Sequence, residues 1–297
     1  FAKSAIARAQ AAGYRDIEDV YRAGETLKVG DKVYAATHGK AVILIQLGSD
    51  PIENGMNILG AHIDSPRLDI KQNPLFEANG QARLDTHYYG GIKHYQWVTV
   101  PLALYGVVVK KDGSIIDVNV GDEPGDPVFC VTDLLIHLAK DQMGKKASEV
   151  VAGEDLDILV GNRPLVIKEG EAASELEAIP AGAAREMGFD RSMILGYGHD
   201  DSSCAYPSMI AQLKMADQDL KTTAVSVLVD KEEIGSVGAT GMESKFFENT
   251  VAELLDRLGA YSGLALRRTL ANSKMLSSDV NAAYDPLYAE AYEKRNS

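Results

Sequence analysis

The sequence predicts an α/β domain interrupted by a second, β-rich module. Strands and helices alternate at both ends of the 297-residue chain, while the middle is mostly β. A 45% apolar and 25% charged composition supplies enough material for a substantial core and argues against wholesale disorder. The first element is an amphipathic helix, because Ala5, Ile6, Ala9 and Ala12 recur on one helical face. KVYAATHGKAVILIQLG reads as two β-rich runs around a turn at His38-Gly39-Lys40. MNILGAHIDSPR is a short apolar run, Met56 to Leu59, that gives way to polar chemistry. Asp112-Gly113, between β-branched runs, predicts a hairpin. DLLIHLAKDQM is expected to be helical, and Glu149 to Ala184, rich in Glu, Ala, Gly and Pro, reads as a poorly defined connection.

The second half is more regular. SCAYPSMIAQLKMADQDL has helical spacing, with Pro207 expected in the first turn, where its missing N–H is harmless. Ala224 to Val229 reads as a buried strand that ends in the charged turn DKEEIGS. Val251, Leu254, Leu255 and Leu258 form an i, i+3, i+4, i+7 helical stripe, and SKMLSSDVNAAYDP is a last short run ending in acid.

Forty-three acidic against 30 basic side chains leave a net charge of −13. That balance disfavours binding to a phosphate backbone and is compatible with holding cations. Two cysteines, Cys130 and Cys204, are too few for a disulfide framework and fit a reducing, cytoplasmic setting. No apolar run approaches the ~18 residues of a transmembrane helix, so no membrane partner is expected. The chain starts at Phe1 and stops at EKRNS, and is expected to be a piece of something longer.

Four acidic clusters stand immediately after short apolar runs: His62-Ile63-Asp64, Asp200-Asp201, Glu232-Glu233 and Asp279. Ligand sites of open α/β sheets lie beyond the carboxyl ends of strands, so neighbouring strands would bring the four clusters into one crevice. One histidine with several carboxylates suits Zn²⁺, Mn²⁺ or Co²⁺. Carboxylates converging without a cation would raise one another's pKa values, a conflict that two divalent ions would resolve. A carboxylate beside a ligand carboxylate, as in Glu232-Glu233, fits the general base that a metal-activated water requires. Each cluster alone is weak, since Asp-Asp and Glu-Glu dipeptides are usually wet loops or helix N-termini.

Their flanks are more specific. GAHIDSPRLDIK, THYYGGIKHYQW, GYGHDDSSCAYPSMIA, VDKEEIGSVGATG and SSDVNAAYDP, in this order from about Ala5 to Tyr288, resemble the M18 family of metalloaminopeptidases. That is the aspartyl aminopeptidase and aminopeptidase I group, and the resemblance is closest to its bacterial and aminopeptidase I branch. It implies a zinc-exopeptidase-like three-layer α/β/α proteolytic domain, residues 1–86 and 190–297, with an inserted β-rich dimerisation domain, residues 87–189. It further implies two divalent ions per subunit, zinc foremost, peptide substrates with a free N-terminus, and dimers building a tetrahedral dodecamer. On matching positions, His62, Asp200, Glu233 and Asp279 would bind metal, with Asp200 bridging. Asp64 would orient the His62 imidazole and Glu232 would be the general base. His87 and His94, flanking YYGGIK, are candidate substrate contacts, and His199 a neighbour of the metal ligands. Cys204 reads as a small core residue rather than a nucleophile.

Two departures accompany the resemblance. The family has a further histidine ligand near its C-terminus, but the six histidines here are His38, His62, His87, His94, His137 and His199, so truncation is expected. Relatives follow the SxD aspartate with Met-Ala-His, where this chain has Val280-Asn281-Ala282. The stretch from Asn162 to Glu175 also looks short against the family. Other readings are a related two-metal deacylase or carboxypeptidase, or a catalytically incomplete assembly subunit of the same fold.

Overall fold

The computed structural model describes residues 1–162, 172–293 and 295. The chain divides into two compact units, residues 1–65 with 198–297 and residues 66–197. In chain order the first unit opens with α1 (Ala2–Ala11), β1 (Arg15–Asp16), α2 (Ile17–Arg22), β2 (Lys32–Thr37), β3 (Ala41–Gln46) and β4 (Asn57–His62). The second unit holds β5 (Arg67–Ala78), β6 (Gln81–Tyr89), β7 (Leu102–Lys110), β8 (Ile115–Val120), β9 (Cys130–Val131), α3 (Lys140–Met143), β10 (Ile158–Gly161), β11 (Ala172–Pro180), β12 (Arg185–Met187) and β13 (Met193–Leu195). The chain then returns to the first unit with α4 (His199–Lys214), β14 (Ala224–Val229), α5 (Phe246–Arg257), α6 (Gly263–Asn272) and β15 (Lys274–Ser277).

The first unit is a three-layer α/β/α sandwich on a six-stranded mixed sheet, ordered β1-β2-β3-β14-β4-β15. Its central strands are buried on both faces, which explains their continuous apolar runs. Ile43 and Ile45 of β3 and Val225 and Val227 of β14 pack against Val20 of α2 and Val251, Leu254 and Leu255 of α5. Val42 and Leu44 of β3 and Leu228 of β14 turn the other way, onto Ala5 and Ala9 of α1 and Ala205 and Met209 of α4. The alanine stripe of α1 lets that helix approach the sheet closely, and the Val251 to Leu255 stripe of α5 is fully buried. β14, β4 and β15 are adjacent and parallel, so three carboxyl ends open on the same edge of the sheet.

The second unit is a seven-stranded antiparallel sheet, ordered β8-β7-β11-β5-β6-β10-β9, with Leu68, Leu102, Leu104, Leu156 and Ile158 in its core. The β7–β8 hairpin turns at Asp112-Gly113, where Gly113 takes a φ of +81°. The unit begins at Pro66 because β5 pairs with β6, Arg67 opposite Tyr89, and with β11, Asp69 opposite Glu177. A cut at 86/87 would fall inside β6. At its other end the unit runs through the β12–β13 hairpin to Tyr197, whose hydroxyl donates to the Pro66 carbonyl at 2.9 Å. The split at 189/190 likewise lies inside this unit.

Three elements differ from the sequence reading. The stretch from Glu149 to Ala184 contains β10 and the central strand β11, in which Leu176 and Ala178 alternate inward beneath a charged exterior. DLLIHLAKDQM is helical only over Lys140–Met143, and Leu134, Leu135, Ile136 and Leu138 are exposed. Pro207 lies inside α4 rather than in its first turn, because the helix starts at His199, ahead of the Ser203 from which the helical spacing is read. The stretch expected to be short against the family lies largely in 163–171, outside the described residues. Among the described residues no helix is long and apolar enough to cross a membrane.

Candidate metal centre

The open edge at the carboxyl ends of β4, β14 and β15 gathers the acidic clusters, all within the first unit. His62 is the last residue of β4, in register with Val229 of β14, and is buried. Its Nδ1 lies 3.1 Å from the Asp64 carbonyl and 3.2 Å from Asp64 Oδ1. Both partners are acceptors, so Nδ1 carries a proton, and a neutral ring would present its lone pair at Nε2. That Nε2 is buried without a hydrogen-bond partner. It faces Asp200 Oδ1 at 2.9 Å, outside hydrogen-bond alignment, with Glu232 Oε2 and Asp279 Oδ1 each at 3.7 Å.

Asp64 ties the site together. Its buried carboxylate orients His62 and also accepts the backbone N–H of Glu232 at Oδ1 and of Glu233 at Oδ2, both at 3.2 Å. Asp200 and Asp201 enter from the start of α4, behind the left-handed Gly198, and the Ser65 hydroxyl donates to the Asp200 carbonyl at 2.5 Å. The Asp200–Asp201 peptide is cis. Asp279 follows β15, whose Ser278 N–H continues the ladder to the Gly60 carbonyl at 2.8 Å.

The electrostatics show a charge deficit. Burial pushes the His62 imidazole down, but Asp64, Glu232 and Asp200 outweigh it and raise its pKa to about 9. Burial, then the charges of Asp200 and Asp64, lift Glu233 to about 7, and its Oε1 is buried without a partner. Asp201 is fully buried with both carboxylate oxygens unpartnered, and burial raises its carboxyl. The Cys204 thiol offsets part of that rise without the alignment of a hydrogen bond, and Asp201 and burial push the thiol itself up to about 11. Cys204 is therefore protonated and no nucleophile.

An orphaned imidazole nitrogen and orphaned carboxylate oxygens facing one another are the donor set of a divalent cation. Ligand atoms of His62, Glu232 and Asp279 lie within 4.8 Å of one another, as do those of Asp200, Asp201 and Asp279. A cation among them would hold His62 neutral and the carboxylates ionised. The structure thus draws together His62, Asp64, Asp200, Glu232, Glu233 and Asp279. It also adds Asp201, which sequence reasoning grouped with Asp200 but gave no role. It puts Glu232 inside the first triad and Glu233 outside both groups. His199 is an exposed first residue of α4. His87 and His94 belong to the second unit, where both rings pack on Tyr88 and His94 Nδ1 meets the Val151 carbonyl at 3.0 Å.

Known proteins share the sequence pattern and the fold of this chain. The profile of the family described as aminopeptidase I zinc metalloprotease (M18) matches residues 2–172 and 159–297. The chain belongs to the M18 family. The M18 family aminopeptidase 1 of Clostridium acetobutylicum is 55% identical over 98% of this chain and 67% of its own length. The crystal structure of aminopeptidase I from that organism superposes with a TM-score of 0.85 at 52% identity, over 96% of this chain and 66% of its own. An M18 aminopeptidase structure from Thermotoga maritima gives 0.89 at 37% identity, over 99% and 68%. The mApe1 dodecamer of S. cerevisiae shares the fold, at a TM-score of 0.70 and 23% identity over 89% and 63%. The chain spans about two thirds of the length of the relatives it matches.

Proposed function

We propose that this M18 chain removes the N-terminal residue from peptides with the help of two divalent metal ions, zinc foremost. The observation that carries the reading is the buried His62 Nε2, which faces three carboxylates and has no hydrogen-bond partner. His62 and Asp279 would hold one ion, Glu233 the other, and Asp200 both. Glu233 suits this role because its buried, partnerless oxygen needs a positive charge. Bound there, the ions supply Lewis-acid polarisation of the scissile carbonyl and a water of lowered pKa.

The chain's own groups do the rest. Glu232 is exposed, so its carboxylate can reach a reacting water, take its proton and return it to the leaving amine. Asp64 keeps the His62 proton on Nδ1 and pins the two glutamate amides. The half-exposed carboxylates of Asp200, Glu232 and Asp279 favour an incoming ammonium over an incoming carboxylate, which supports a substrate with a free N-terminus.

Self-assembly, through dimers to a tetrahedral dodecamer, is part of the same reading. The second unit supports it with an apolar surface at Leu134, Leu135, Ile136 and Leu138 and with the exposed Phe189 at the β12–β13 turn. His87 and His94 would then reach substrate in a neighbouring subunit. Cytoplasmic residence suits the two free cysteines.

The deciding experiment compares aminoacyl-anilides with N-acyl amino acids on the zinc-loaded protein, alongside its metal content. Cleavage of the anilides alone, with two ions per chain, is expected. Hydrolysis restricted to N-acyl substrates would replace the aminopeptidase reading with a deacylase one.

A further inference from the structure

The loop that carries Glu232 and Glu233 has an unusual backbone. Lys231 and Ser236 take φ values of +72° and +62°, in the left-handed region that residues with a Cβ avoid. Between them lies a single 3₁₀ turn, Glu232–Ile234, closed by the Ser236 N–H donating to the Lys231 carbonyl at 2.7 Å. So contorted a segment keeps its shape only when its surroundings impose it.

Asp64 holds the loop from the β4 side through the two glutamate amides. A second hold lies at the neck. Asp230 and Thr240 flank the loop, both buried, and the Thr240 hydroxyl donates to Asp230 Oδ2 at 2.7 Å. The Asp230 N–H donates in turn to the Thr240 carbonyl at 3.3 Å. Beside them, a Cβ on Gly241 would sit 2.0 Å from the Ser236 carbonyl, so the returning chain packs directly against the loop.

We propose that Asp230 and Thr240 are positioning residues: a buried carboxylate–hydroxyl latch that fixes Glu232 and Glu233 relative to His62 and Asp200. The catalytic part of this inference rests on the aminopeptidase reading above; the mechanical part does not. The latch touches neither substrate nor metal and acts only through the loop.

Thr240→Val removes the hydroxyl at nearly constant volume, Thr240→Ser keeps it, and Asp230→Glu keeps the charge on a longer stem. Each is made in the intact protein, with folding checked by thermal melting. Three quantities are read: amide hydrogen exchange across 231–239, zinc affinity against a competing chelator, and kcat apart from KM. Thr240→Val and Asp230→Glu are expected to speed exchange in that segment and to weaken zinc binding about tenfold to a hundredfold. They should lower kcat while KM stays within about twofold; Thr240→Ser restores wild-type behaviour. Wild-type exchange and zinc affinity in both Thr240→Val and Asp230→Glu would overturn the latch, as would a Thr240→Ser protein as impaired as Thr240→Val. If the wild-type protein cleaves no N-terminal residue, the activity reading fails while exchange and zinc affinity still decide the latch.

Discussion

Two buried charge clusters, one in each unit, are built on opposite principles. In the second unit the buried Arg67 donates through Nε to Asp69 at 2.7 Å, reaches Glu177 through Nη2 at 3.2 Å, and lies 3.7 Å above the Tyr89 ring. Burial works against its charge, but Glu177 and Asp69 outweigh it and hold its pKa above the ordinary value. This cluster carries its own counter-charges. In the first unit, by contrast, His62, Asp201 and Glu233 all keep buried atoms without a partner. Burial alone therefore does not mark a functional site. A cluster whose charged groups all find partners is a structural joint, whereas one with orphaned buried atoms is a socket for something of opposite charge.

The largest test of that contrast is Glu232→Gln. It should lower turnover by a factor between about a hundred and ten thousand while metal analysis still finds both ions bound. Near-native turnover would remove Glu232 from the chemistry. Next comes Arg67→Leu, which takes the guanidinium from the half-buried Asp69 and Glu177 and should destabilise the second unit by about 3 kcal/mol in denaturant melts. That loss should be the same with and without zinc; a zinc-dependent loss would erase the distinction between joint and socket. Removing the ions by chelation should cost the first unit about 2.7 kcal/mol relative to free zinc at a hundred times its Kd, seen as a lower Tm reversed by zinc. A chelator-insensitive Tm would mean that the orphaned oxygens serve no cation. The smallest effect is expected for His94→Ala: a rise in KM of about fivefold or less, the worth of one hydrogen bond, with kcat unchanged.

Much of this was written in the order of residues. The alternation of strands and helices, the doubly buried run Ala224 to Val229 and the stripe of α5 are properties of spacing, and they predict the α/β layers directly. Motif order likewise put His62, Asp200, Glu232 and Asp279 at strand or helix ends. Other features depend on what a side chain meets. Asp200 and Asp201 are identical in sequence terms, and only burial separates the exposed acid from the enclosed one. The Leu134 to Leu138 run has helical spacing, yet a helix face is stable only against a partner, and here those side chains point to solvent. β11 went unread because an acidic exterior masks the alternation of Leu176 and Ala178. The unit boundary at Pro66 is a matter of pairing partners, invisible before β5 is seen beside β11.

The position of β14 also governs when the protein can fold. It sits between β3 and β4, yet it is made after the whole second unit, so the middle of the sheet stays open while residues 66–197 emerge from the ribosome. The second unit is continuous in sequence and can fold as it appears, whereas the first must wait for a strand from far down the chain. During that interval the apolar flanks of β3 and β4 face each other across an empty slot. Pausing synthesis once Tyr197 has left the ribosome but before Ala224 has should leave a chain with one finished unit and one that is sticky, protease-sensitive and a natural client for chaperones.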